Sequence, residues 1–370
     1  MLKNKLIKLI TTFTVLTLVL TGCGNAVKEN KSNNQTQNQN QTQKNAEEKA
    51  HFYFTANESG SISKIDATTN EVIDTIKEAE GTPHNVQVSP DGKVVGYTLA
   101  AEMKENQSED ENMDMKGKDK DMDMESKSYA MFYDADTGKL IKKVEIGNHP
   151  AHIVFTEDGK YVLVTNNEDN NVSVIDAKNY KVVSTVSVGK GPHGFRISKD
   201  SKYAYVANMG EDTISVVDIE NNKEVKKITV GSTPVTTAIT SDDKTLVATV
   251  NGENALAIVD LATEKVEKVP VGVGPAQVYI QSDNKYAFVA NQGTEEVPSN
   301  TVSKIDMVTK KVVAMIETGK GAHGVVVSPD NKYVYVTNMY EGTVSVIDNI
   351  TDKVIKTIQV GKEPNGISYR

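Results

Sequence analysis

Residues 319–358 read GKGAHGVVVSPDNKYVYVTNMYEGTVSVIDNITDKVIKTI. Four short runs rich in β-branched and aromatic residues lie within it: Val325–Val327, Tyr333–Thr337, Thr343–Ile347 and Val354–Ile358. Ser328-Pro329-Asp330-Asn331 separates the first two, and Asp348 closes the third. Runs of this length, bounded by Ser, Pro, Asp, Asn and Gly, predict strands joined by tight turns.

The stretch is one copy of a repeat that governs everything beyond residue 50. Each copy opens with a Gly-x-x-Pro turn whose last residue falls at Pro83, Pro150, Pro192, Pro234, Pro275, Ala322 and Pro364, in steps of 67, 42, 42, 41, 47 and 42 residues. A period near 42 with four short strands is the mark of a propeller blade, and seven turns predict seven blades. The ends do not coincide with the repeat. Residues 51–79 hold three outer strands without an inner one, and Pro364 to Arg370 supplies an inner strand alone. The fold class is therefore all-β: a seven-bladed β-propeller over 51–370, closed by pairing the N-terminal outer strands with the C-terminal inner strand, which leaves no free sheet edge in the ring.

Tyr335-Val336-Thr337-Asn338 resembles the signature of the YVTN family of β-propeller repeats, and Tyr205-Val206-Ala207-Asn208 is a close copy. The resemblance covers roughly residues 51 to 370 and extends to surface-layer-like and YncE-like proteins. It implies the fold and leaves function open, because related seven-bladed folds serve as binding proteins, lactonases, lyases and haem d1 domains.

Function must be sought in residues that depart from the repeat. With strands named a to d from the channel outward, alternating direction puts the d-to-a turn and the b-to-c loop on one face. The residue after the turn is His84, Ala151, His193, Val235, Ala276, His323 and Asn365 in successive blades, with His149 and His152 beside Ala151. Five of the six histidines thus gather at one channel mouth, and His84, His149, His152, His193 and His323 are candidate metal ligands, since neutral imidazole is a common ligand of transition metals. A symmetric cage is not expected, because Ala, Val and Asn occupy the equivalent place elsewhere. Strand b ends in Asn, read as a left-handed turn residue, and an acid follows in six blades: Glu58, Glu168, Glu211, Glu253, Glu295 and Glu341. Met209 and Met339, with Glu168, Glu211 and Glu341, are candidate supports on this face.

The long step holds an insertion, 102–127, in a b-to-c loop on the same face. It carries Met103, Met113, Met115, Met122 and Met124 among Asp and Glu, a composition that predicts disorder. Thioethers are soft ligands suited to copper(I), so the loop is a candidate copper collector.

The N-terminus sets the compartment. Lys3, Lys5 and Lys8 precede an apolar run, Leu9 to Leu20, too short to span a bilayer and read as a secretory signal, 1–22. Leu20-Thr21-Gly22-Cys23 resembles a lipobox, which implies cleavage before Cys23, its lipidation, and anchoring on the extracytoplasmic face of the cell membrane. Residues 23–50 read as a disordered Asn/Gln-rich linker. Cys23 is the only cysteine, so no disulfide or zinc-thiolate site is available. The net charge of −9 argues against nucleic acid as a partner. Three readings remain: a metal-binding module, with copper as its ion; a structural or protein-partner-binding propeller without metal; and a lactonase- or lyase-like enzyme. The sequence has no isolated nucleophile and no nucleotide loop, so the binding module ranks above the enzyme.

Overall fold

The computed structural model describes residues 51–78, 81–101 and 127–370. Cys23, the linker and the methionines of the 102–127 insertion lie outside the described residues. Seven four-stranded antiparallel sheets form the fold. Blades 1 to 6 are consecutive in sequence (82–145, 150–187, 192–229, 234–270, 275–317 and 322–359), with strands in the order a-b-c-d. Blade 7 joins the chain ends: strand Pro364–Tyr369 is its strand a and pairs with Phe52–Asn57, which is followed by Ser61–Asp66 and Glu71–Lys77. Closure is thus as the sequence predicts.

The repeat's punctuation has visible work in each turn. Between strands a and b, the Ser328 hydroxyl accepts from Tyr333 N at 3.0 Å and donates to Asp330 Oδ1 at 2.7 Å, and Ser89, Thr156, Ser198 and Thr240 repeat the arrangement. Between strands c and d, Asp348 Oδ1 accepts the amides of Ile350 at 3.0 Å and Thr351 at 2.8 Å, an Asx turn that recurs after the strand-c Asp of other blades. Apolar side chains of strands a to c fill the spaces between neighbouring blades. One such cluster joins Val154, Leu163 and Val174 of blade 2 to Phe195, Val206 and Val217 of blade 3. Strand d faces outward, and its alternate residues, such as Val183 and Ile355, are exposed.

The strand-b asparagine is the one fold feature that differs from expectation. None of Asn57, Asn166, Asn208, Asn291 and Asn338 adopts positive φ. Each is buried, and its amide bridges to strand c: Asn338 Nδ2 donates to Thr343 Oγ1 and Ser345 Oγ, both at 2.9 Å. Asn338 Oδ1 accepts Gly319 N at 3.1 Å. A Cβ on Gly319 would stand 2.6 Å from Asn338 Cγ, so the glycine opening the Gly-x-x-Pro turn is required by close approach. Leu99 and Val250 occupy the asparagine's place in blades 1 and 4.

Candidate metal centre

Each Gly-x-x-Pro turn meets the b-to-c loop because the turn's last residue pairs with the last residue of strand b: Pro192 with Asn208, Pro150 with Asn166, Ala322 with Asn338. The two loops therefore share one end of the ring. Immediately after that pair, the a–b register breaks in blades 1 to 6, and pairing resumes at the fourth residue of strand a, such as Val86, Ile153 or Phe195. A regular strand would send residues two and three to opposite faces; this irregularity releases both from alternation. His84 and His193 sit at position two and His152 at position three, yet all three meet in the channel.

The freed amides are not orphaned. In blade 2, His152 N donates to Thr165 Oγ1 at 3.0 Å, and that hydroxyl donates onward to His193 O of blade 3 at 2.7 Å. Thr98, Thr249 and Thr337 make the same link, so in blades 1, 2, 4 and 6 a strand-b threonine stitches the inner strand to the next blade.

One ring nitrogen from each of His84, His152 and His193 lies within 4.8 Å of the others. Ring centroids are 5.0 Å apart for His152 and His193, 5.3 Å for His84 and His193, and 6.2 Å for His84 and His152. His84 Nδ1 donates to Glu58 Oε1 at 2.7 Å, and His193 Nδ1 donates to Val235 O at 3.3 Å, so in the neutral rings both lone pairs are on Nε2. Those two Nε2 atoms face each other at 3.3 Å. Two facing lone pairs need a proton or a cation between them. Two imidazole nitrogens on one tetrahedral ion, with bonds of about 2.0–2.1 Å, stand about 3.3–3.4 Å apart. His152 is fully buried, and neither ring nitrogen has a hydrogen-bond partner among the described residues.

Around this trio, Asn365 Nδ2 donates to Glu58 Oε1 at 2.7 Å, and His323 Nδ1 donates to Asn365 O at 3.3 Å. Blades 6, 7, 1, 2 and 3 thus contribute a continuous arc. Burial, then the neighbouring imidazoles, hold His152 and His193 well below the usual histidine range, and burial brings His323 down to about 4. These rings are neutral near pH 7, which is the ligand form. Burial pushes the Glu58 carboxyl up, but the hydrogen bonds from His84 and from the Asn365 amide outweigh it, leaving Glu58 a carboxylate below its ordinary value. Such a carboxylate orients the His84 ring and fixes its tautomer, leaving Nε2 to face a metal.

The other candidates stand apart. His149 occupies the last place before Pro150, in the left-handed conformation with φ 47°, where blades 3, 5 and 6 use glycine. Its side chain is 48% exposed, 3.4 Å from Glu168, and does not join the trio. Glu211 pairs with Lys227 at 3.0 Å and Glu253 with Lys268 at 2.5 Å, so strand-d lysines neutralise both. Glu341 lies in the short 3-10 turn Met339–Glu341, and Met339 Sδ accepts from Gln292 Nε2 at 3.3 Å. Met209 is half-buried in its loop. The two site members that sequence reasoning did not single out are Glu58, one of six similar glutamates, and Asn365, read there only as a missing histidine.

Taken together, fold and site define a closed seven-bladed propeller whose channel mouth is lined on one side by neutral imidazoles. A YNCE-like β-propeller family model matches residues 131–300 and 296–369, and the chain belongs to that family. Among solved structures, it is similar to Kuenenia stuttgartiensis hydrazine synthase, at 22% identity and a TM-score of 0.66 over 79% of this chain and 91% of that one. A functionally unknown protein from Desulfotomaculum acetoxidans DSM 771 shares 13% identity and a TM-score of 0.69 over 86% and 98% of the two chains. A putative 6-phosphogluconolactonase from Bacteroides fragilis NCTC 9343 shares 16% identity and a TM-score of 0.64 over 87% and 98%. At these identities the likeness is one of fold. No curated protein matches the chain significantly.

Proposed function

We propose that this protein is an extracytoplasmic, lipid-anchored metal-binding propeller whose imidazole trio, His84, His152 and His193, holds one transition-metal ion. The observation that carries the reading is the pair of Nε2 atoms 3.3 Å apart beside a buried His152 with two unpartnered nitrogens. An unsatisfied buried ring is costly, and a cation bound by the three rings removes that cost. Copper is the favoured ion, because nitrogen donors bind divalent first-row metals most tightly at copper. Glu58 and Asn365 position His84, while water completes the shell at the mouth, where the His84 side chain keeps 17% exposure. The methionine-rich insertion follows Ala100, which pairs with Thr82 at this same end, so its anchor supports a role in delivering copper(I) to the mouth. The lysine-led apolar segment and Cys23 support anchoring at the membrane.

The test is titration of metal-free protein with copper(II), copper(I) and zinc, read by calorimetry and thermal unfolding. A bound ion at 100 times its Kd adds roughly 2.7 kcal/mol of stability. His152→Ala and His84→Ala should weaken copper binding by at least roughly tenfold each, the cost of losing one ligand's share, whereas His149→Ala should leave it unchanged. If no metal shifts the melting temperature, the metal reading fails and a partner-binding propeller takes its place.

A further inference from the structure

The channel has a second chamber. Toward the far end of the inner strands it holds a half-open cavity of about 470 Å³, lined by their lower halves and by the a-to-b turns. Position five of strand a reaches it in six of the seven blades, as Gln87, Arg196, Ala238, Tyr279, Val326 and Ser368. Arg196 is the unusual one: it lies three residues below His193 on strand Pro192–Ile197. Nη1 donates to Phe195 O at 3.0 Å, and no described carboxylate pairs with the guanidinium. Glu157, which also lines the cavity, is held by Lys199 Nζ at 2.5 Å. The Tyr279 hydroxyl and the Asn85 amide nitrogen, both belonging to lining residues, make no hydrogen bond to any described residue.

Arg196 is half-buried, and with one of its five donors used on Phe195 O the rest of its fork is open to the cavity. Its fork matches a carboxylate. Thr240, Ser241, Gln281, Ser282, Asn284 and Ser368 give the cavity more hydrogen-bonding groups than a purely apolar acid would use. Its size lies within the usual range for a small-molecule site. We propose that the lower channel binds a small hydroxylated organic acid, its carboxylate on Arg196 and Tyr279 and its hydroxyls on the polar rim. The site is independent of the metal reading.

The probe is malate, titrated into metal-free protein and read by calorimetry and melting temperature, beside its neutral diamide and inorganic phosphate. Malate is expected to bind and to raise the melting temperature, the diamide to have no effect, and phosphate to bind more weakly. Arg196→Met should weaken malate by roughly tenfold or more, the worth of a charged hydrogen bond, and should melt no lower than wild type without ligand, since it removes an unpaired charge. Tyr279→Phe, which only deletes a hydroxyl, should weaken malate severalfold and serves if Arg196→Met does not fold. No response to malate up to tens of millimolar, an equal response in Arg196→Met, or an equal response to the diamide or to phosphate overturns the proposal.

Discussion

Acid should loosen this propeller through its channel, and His323 allows the size to be worked out. Its side chain is buried, its Nδ1 donates to Asn365 O at 3.3 Å, and its pKa is brought down to about 4. An unfolded histidine titrates near 6.5, so between pH 6.5 and 4 the unfolded chain binds a proton that the folded ring refuses. Stability is therefore complete above about pH 6.5 and falls as pH drops through that window. Integrated from pH 7.5 to 4.5, this one group removes about 2.5 kcal/mol. His152 and His193, also depressed, act in the same direction. His323→Asn removes the titration while placing an amide nitrogen where Nδ1 stands, so the bond to Asn365 O can persist. Urea unfolding of metal-free protein at both pH values should show wild type losing about 2.5 kcal/mol more than His323→Asn over this interval. Parallel losses in the two proteins would refute the claim that the buried neutral ring carries the effect.

Asn338→Ala deletes a buried amide that donates to Thr343 and Ser345 and accepts from Gly319, and should cost about 2–3 kcal/mol in denaturant unfolding. Gly319→Ala should also destabilise, and less so in the Asn338→Ala background, because its Cβ would clash with the Asn338 side chain as well as with the movable Glu341 carboxylate; fully additive losses would argue against the Asn338 contact. Deleting residues 364–370 strips blade 7 of its inner strand and should abolish cooperative thermal unfolding, whereas a sharp transition at the wild-type temperature would show that closure is dispensable.

The repeat was legible because its turn residues act locally: the Gly-x-x-Pro turns place the blade boundaries and the Ser-Pro-Asp turns part strand a from strand b, without any knowledge of packing. The asparagine was harder. Asn next to a loop suits a left-handed turn on propensity alone, and only the neighbouring strand c, with Ser345 and its counterparts, reveals that the amide is used inward. Among the histidines, strict alternation would exclude His152 when Ala151 occupies the channel position. The break in a–b register brings His152 in, while the turn conformation at residue 149 sends that ring outward. Glu58 differs from the other loop glutamates in what surrounds it: Glu211 and Glu253 find strand-d lysines, and Glu58 finds His84 and Asn365. Such choices depend on cross-strand and cross-blade neighbours, which a single-sequence reading does not order.

A propeller repeats the same slots seven times, so chemistry enters where a slot holds an unexpected residue. Position two accepts Ala151, Val235 and Ala276 without consequence for the fold, and position five accepts Ala238 and Val326. Apolar filling is therefore sufficient at both levels. A buried His152 whose ring nitrogens find no partner among the described residues, at the first level, and a guanidinium without a described carboxylate, at the second, each impose a desolvation cost that alanine or valine would avoid. Packing does not explain them. The economical account is that the channel keeps these groups for ligands, a cation at the mouth and an anion below, with strand Pro192–Ile197 carrying His193 and Arg196 into both chambers.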